Sequence, residues 1–149
     1  MSVRSNQDVA TALGVLLADS YILALKTQNY HWNVVGSDFV QLHTLFGDQY
    51  EALSGAIDEV AERIRALGFP APASFGEFAE RSSLKSTAGA PAARDMITAL
   101  RDDNLAAAKS AYAVIKAAEA VGDDSSADLA TGRVTEHEKA AWMLTALLG

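Results

Sequence analysis

Residues 68–90 read GFPAPASFGEFAERSSLKSTAGA. Gly68, with Pro70 and Pro72 behind it, stops whatever helix precedes it, because glycine closes a helix C-terminus and proline cannot continue one. The stretch is rich in Pro, Gly, Ser and Ala and has room for one short helix, around Phe75 to Arg81. It is too long for a tight turn and reads as a crossover connection. Pro91 follows at a helix start, where its missing N–H is harmless.

Outward from this crossover, the chain divides into four long helices. The first runs from about Asn6 to Tyr30, with Val9, Leu13, Leu16, Leu17, Ala24 and His31 on one stripe. Gly36 ends it, Ser37 or Asp38 caps the second, and the second extends to about Leu67. The third reaches about Ala120 and breaks at Gly122, where Asp123 and Asp124 open the fourth. A short first loop makes helices one and two antiparallel. The long second connection lets helix three run parallel to helix two. This is an all-α, ferritin-like four-helix bundle with a crossover carrying a short extra helix. It forms a single domain over residues 1–149, with a short tail at 1–6.

Composition agrees. Of 149 residues, 50% are hydrophobic and 21% charged, which excludes wholesale disorder. Twelve basic residues against nineteen acidic give a net charge of −7, the wrong sign for gripping nucleic acid through its phosphates and a suitable one for attracting cations. The absence of cysteine excludes disulfides, thiolate metal sites and cysteine nucleophiles. MSVRSNQDVA shows no signal-peptide apolar region, and no apolar run is expected to approach the roughly 18 residues of a membrane span, so the protein is expected in the cytoplasm, with no membrane partner.

The three histidines are His31, His43 and His137. An intra-bundle di-iron site needs two Glu-x-x-His pairs, yet Gln28, Val40 and Val134 stand three residues before the histidines. Any metal must lie elsewhere. Asp58 and Glu62, four apart on helix two, share a face. His43 lies on a similar face but fifteen residues earlier, about 22 Å along the axis, so one metal cannot touch both within a chain. A two-fold axis near Tyr50 to Ala52 removes the difficulty: His43 of one chain then meets Asp58 and Glu62 of the other. Gly47, Ala52, Ser54 and Gly55 are small enough for close approach, and His31 reaches the same site across the loop. Two imidazoles and two carboxylates suit iron(II), and equally zinc or manganese. Taken singly, each histidine reads also as a cap or packed residue, and Asp58 and Glu62, before Arg63 and Arg65, as a solvated face.

His31-Trp32-Asn33-Val34-Val35-Gly36, then Phe39, Leu42-His43 and Phe46, resembles the signature of the Dps family, the miniferritins or DNA-binding proteins from starved cells. Asp58-Glu59-Val60-Ala61-Glu62-Arg63-Ile64 resembles the second signature at matching separation, and the similarity runs through His137-Glu138-Lys139-Ala140-Ala141-Trp142. The resemblance implies a homo-dodecameric shell built on two-fold dimers. Such a shell oxidises iron(II), with hydrogen peroxide in preference to oxygen, and stores ferric oxide inside. It implies a ferroxidase centre of His31 and His43 from one chain with Asp58 and Glu62 from another. It also gives Trp32 the role of intercepting oxidising equivalents, against plain packing at the dimer contact. For Asp123, Asp124 and Asp128 it implies lining of three-fold pores that admit iron(II), beside their local role at a helix N-terminus.

One position departs from the family pattern. A carboxylate usually follows the second histidine by four residues, and here stands Gly47, with Asp48 turned about 100° away. A tight first iron site and a weak or water-completed second are expected, with Gly47→Asp strengthening the second. His137 reads as structural, and Asp19 and Lys26 as helix-surface charges. DNA binding is expected to be weak or absent: the first ten residues hold Arg4 and no lysine, and Leu148-Gly149 ends without a basic extension. The contrasting readings are a nucleoid-associated, DNA-compacting protein with incidental metal, and an inert scaffold.

Overall fold

The computed structural model describes residues 3–149, with side chains from residue 6 onward. Its elements are α1 (Val3–Asn33), α2 (Phe39–Ala66), α3 (Phe75–Arg81), α4 (Ala93–Glu119) and α5 (Asp124–Leu148), with no strand among the described residues. Side-chain pairs establish the directions. Tyr30 packs on Phe46, and Asn6 donates to the Leu67 carbonyl, so α1 and α2 are antiparallel. Lys26 pairs with Asp103 and Asp19 with Ser110, so α1 and α4 are antiparallel, which leaves α2 parallel to α4 as the long crossover requires. Asn104 meets His137, and Arg94 reaches the Leu148 carbonyl, so α5 returns along α4.

α1 begins earlier than its apolar stripe suggests, at Val3, since no proline or glycine lies between there and Asn6. Of the expected tail at 1–6, residues 1–2 lie outside the described residues. α2 ends as Gly68 dictates. The Gly68 N–H donates to Arg65 O (3.0 Å) and the Phe69 N–H to Ile64 O (3.3 Å), a closure that needs the left-handed backbone Gly68 adopts at φ 100°. At the other end of α2, Asp38 takes the cap position, but its side chain makes no capping bond.

Leu13, Leu16, Leu17, Phe46, Ile64, Leu100 and Leu144 fill the core, each worth about 2 kcal/mol on burial. Ala107, Ala111 and Ala118 let α4 approach its neighbours closely. Over Asn6–Asn33, α1 is, by length and composition, long and apolar enough to cross a membrane, which corrects the expectation that no run approaches that length. In the bundle, 67% of its most apolar window is buried.

Asp19 and Lys26 are not surface charges. Asp19 is wholly buried and accepts from the Ser82 hydroxyl (2.7 Å), the Ser83 N–H (2.7 Å), the Ser83 hydroxyl (2.8 Å) and the Ser110 hydroxyl (2.5 Å). Lys26 pairs with Asp103 at 2.8 Å and donates to the Lys85 carbonyl, while Asn29 donates to the Gly89 carbonyl. These contacts clamp the crossover onto α1 and α4. Within it, the Ser74 hydroxyl accepts from the Glu77 N–H and caps α3.

Candidate metal centre

The last turn of α1 and the first turns of α2 bring His31 and His43 together as nearly parallel stacked rings, 3.9 Å between centroids and 11° between planes. Each ring is held by the other's backbone. His31 Nδ1 lies 2.6 Å from the His43 carbonyl oxygen, and His43 Nδ1 lies 2.7 Å from the His31 carbonyl oxygen. A carbonyl only accepts, so both Nδ1 atoms carry the hydrogen. That arrangement leaves Nε2 of each ring as the nitrogen for a metal, the tautomer that metal-binding histidines use when a backbone carbonyl orients them. Phe39 stacks on His43 at 5.1 Å and limits its rotation.

Gly47 belongs to this arrangement. A Cβ built there would lie 2.9 Å from His31 Cε1 and 3.0 Å from Nδ1. Any side chain at 47 must displace the His31 ring from the carbonyl that orients it. With the ring this close, Gly47→Asp is expected to weaken metal binding at His31 by about tenfold or more, against the alternative outcome of a strengthened second site. Titration of Gly47→Asp and Gly47→Ala with cobalt(II), followed by visible absorption, checks this; tighter binding in Gly47→Asp would contradict it.

Asp58 and Glu62 lie exposed further along α2. A hydrogen bond with Asp58 and the repulsion of its charge raise the Glu62 carboxyl above its usual range, the direction expected of two neighbouring carboxylates without a cation between them. Among the described residues, no three His, Asp or Glu side chains of one chain converge to hold a metal. The structure thus brings His31 to His43, and Asp58 to Glu62, as two separate halves. Trp32 beside His31 is 63% exposed.

The three aspartates near the start of α5 divide. Asp123 is buried, caps α5 through the Ser126 N–H, accepts from the Ser126 hydroxyl, and pairs with Arg63 at 2.9 Å. Burial acts to raise its carboxyl, but the Ser126 hydrogen bonds and the Arg63 charge outweigh this and hold it below the usual range. Its oxygens are committed within its own chain, whereas Asp124 and Asp128 are exposed.

His137 is buried where α5 faces α4. Its Nδ1 bonds Asn104 Oδ1 at 3.0 Å and its Nε2 lies 3.2 Å from Arg133 Nη2, so the ring is neutral and structural. Burial first, and the Arg133 charge second, lower it to about 3. The unfolded chain takes up this proton near pH 6.5 and the folded protein only near 3. Stability present above pH 6.5 is therefore lost as pH falls, by about 1.4 kcal/mol per unit. Urea melts of the wild type and His137→Gln between pH 7 and 4 should show the variant's flatter slope; parallel slopes would contradict it.

The fold and its paired half-centres define a ferritin-like four-helix protein, and a model of the ferritin-like domain matches residues 10–149. Within that class the chain belongs to the Dps family. It is 36% identical over 143 residues to DNA protection during starvation protein 2 of Bacillus anthracis, covering 96% of this chain and 98% of the relative. It is 39% identical over 144 residues to an uncharacterized low temperature-induced protein of Nostoc sp., covering 95% and 80%. A Dps protein of Vibrio cholerae O1, described as belonging to a broad superfamily of ferritin-like diiron-carboxylate proteins, superposes with a TM-score of 0.96 at 30% identity, covering 100% and 94%.

Proposed function

We propose that the protein is a ferroxidase and iron store. It oxidises iron(II) at centres shared between two chains, with hydrogen peroxide in preference to oxygen, and keeps the ferric product inside a twelve-subunit shell. The observation that carries this reading is the reciprocal bonding of His31 and His43, which occupies both Nδ1 atoms and leaves the two stacked rings their Nε2 atoms for a metal. A partner chain supplies Asp58 and Glu62, whose mutual repulsion an arriving iron(II) relieves. The mixed nitrogen and oxygen set takes zinc or manganese as competitors of the substrate.

Each of two iron(II) ions gives one electron, peroxide accepts both, and its O–O bond breaks. Hydrolysis of the two iron(III) ions then releases four protons per pair. Gly47 supplies no carboxylate, so water completes the second position and the first iron binds more tightly. Trp32, exposed beside the centre, is placed to take up oxidising equivalents that escape it. Asp124 and Asp128 would draw iron(II) toward the pores.

Protection of DNA would come from removing iron and peroxide together. At −7 per chain, a twelve-subunit shell repels duplex DNA at moderate salt. The cytoplasm, where iron(II) and peroxide meet DNA, is the compartment that suits this activity. The test is size-exclusion chromatography with in-line iron detection after iron(II) and peroxide are added to metal-free protein. Iron should co-elute with a particle of about 188 kDa, twelve times 15.7 kDa. Iron precipitating apart from a monomer or dimer would refute the proposal.

A further inference from the structure

Apart from the histidine pair, a cleft of about 190 Å³ enters the bundle between α2 and α5. Its walls are largely apolar, from Leu45, Leu53 and Met143 among others, and several of its polar side chains are already committed. Asn104 donates to the Leu100 carbonyl and accepts from His137, and the Thr27 hydroxyl donates to the Leu23 carbonyl. Two lining side chains are not committed. Both amide atoms of Gln49 are buried with no partner, and so is Arg133 Nε. Arg133 forms no ion pair among the described residues; its one bond is to the neutral His137. Glu136 and Asp48 line the cleft as well, yet neither pairs with the guanidinium, and Lys139 lies at the same opening.

The carboxylates of Glu136 and Glu59 act on the half-buried guanidinium through space but leave its Nε without a hydrogen-bond partner, and that orphan and an amide with neither face satisfied are each unfavourable by more than about 1 kcal/mol. Structures retain such groups where something outside the chain completes them. The unfilled positions specify its chemistry. Arg133 Nε asks for an anionic acceptor, Gln49 Nε2 for a second acceptor, and Gln49 Oε1 for a donor. A simple carboxylate or sulfate supplies the acceptors but no donor.

We propose that this cleft binds a small oxyanion that keeps a hydroxyl at neutral pH, of the phosphate or hydrogencarbonate type. One oxygen accepts from Arg133, another from Gln49 Nε2, and the hydroxyl donates to Gln49 Oε1. The volume admits an anion of this size. Bound there, the anion neutralises Arg133 and ties α2 to α5, two helices joined at their far end by the Arg63–Ser126 bond.

The test uses metal-free assembled protein, so its outcome is independent of iron chemistry. Isothermal titration calorimetry with inorganic phosphate, hydrogencarbonate and sulfate is run on the wild type, Gln49→Leu and Arg133→Gln. The wild type should bind phosphate or hydrogencarbonate saturably, with Kd below about 10 mM, and sulfate at least tenfold more weakly. Whichever of the two oxyanions binds more tightly is the type the cleft selects. Both variants should lose at least tenfold. Gln49→Leu buries no unpaired amide, so it should melt no lower than the wild type without ligand, and the rise in Tm that the preferred anion gives the wild type should vanish. Absence of saturable binding, equal binding of sulfate, or unchanged binding in Gln49→Leu would each overturn the proposal and leave the cleft filled by water.

Discussion

Replacing Asp58 with alanine is expected to lower the initial rate of iron(II) oxidation by about 100-fold while leaving thermal stability within about 0.5 kcal/mol of the wild type. The two halves of that expectation have separate sources. Asp58 is exposed in the chain and has no hydrogen-bonded or ionic role in the core, so its loss barely touches folding. As half of the carboxylate pair that raises Glu62, it is one of two oxygen donors available to complete the histidine half-site. His31→Ala should show the same loss of rate. It also removes a ring stacked on His43, so a small fall in Tm should accompany it. Stopped-flow absorbance of the ferric product reads the rates and calorimetry the stabilities. Unaltered oxidation in both variants would leave only the inert-scaffold reading.

Asp19→Ala should have the largest effect on stability, a loss of about 3 kcal/mol. The carboxylate has no exposure and accepts four hydrogen bonds, three of them from the Ser82–Ser83 turn of the crossover and one from α4. Removing it takes the shared acceptor from those partly buried donors and leaves the crossover untied from α1. Asp19→Asn keeps the shape and part of the acceptor capacity, so it should lose less. Chemical denaturation gives the ranking wild type, Asn, Ala; hydrogen exchange should show residues 82–90 opening first in the alanine variant. Equal stability of wild type and Asp19→Ala would contradict the clamp.

The architecture was readable because its punctuation is local. Gly68 with two prolines, Gly122 and the length of the crossover dictate four helices and the parallel relation of α2 to α4, and α3 falls at Phe75–Arg81 as read. Asp19 and Lys26 look like surface charges in the sequence because their partners lie 59 to 91 residues away, and a lone charge on a helix carries no sign that a serine turn will fold over it. Gly47 was legible as a departure, but its cause, the nearness of the His31 ring, is a contact between two helices. The same holds for Arg133 and Gln49, whose missing partners only a packed bundle reveals. The separation of His43 from Asp58 was legible from axial distance alone, since a straight helix cannot fold one back onto the other.

That shared centre is tested most directly by mixing defective chains. His31→Ala and Asp58→Ala proteins are each expected to be nearly inactive. Dissociated together and reassembled in equal amounts, they form mixed pairs in which one of the two centres combines an intact histidine half with an intact carboxylate half. Random pairing leaves about a quarter of all centres whole under two-fold exchange. The account predicts recovery of about a quarter of wild-type activity on mixing. No recovery, with mixed assemblies confirmed by native mass spectrometry, would mean that the residues act within one chain or not at all.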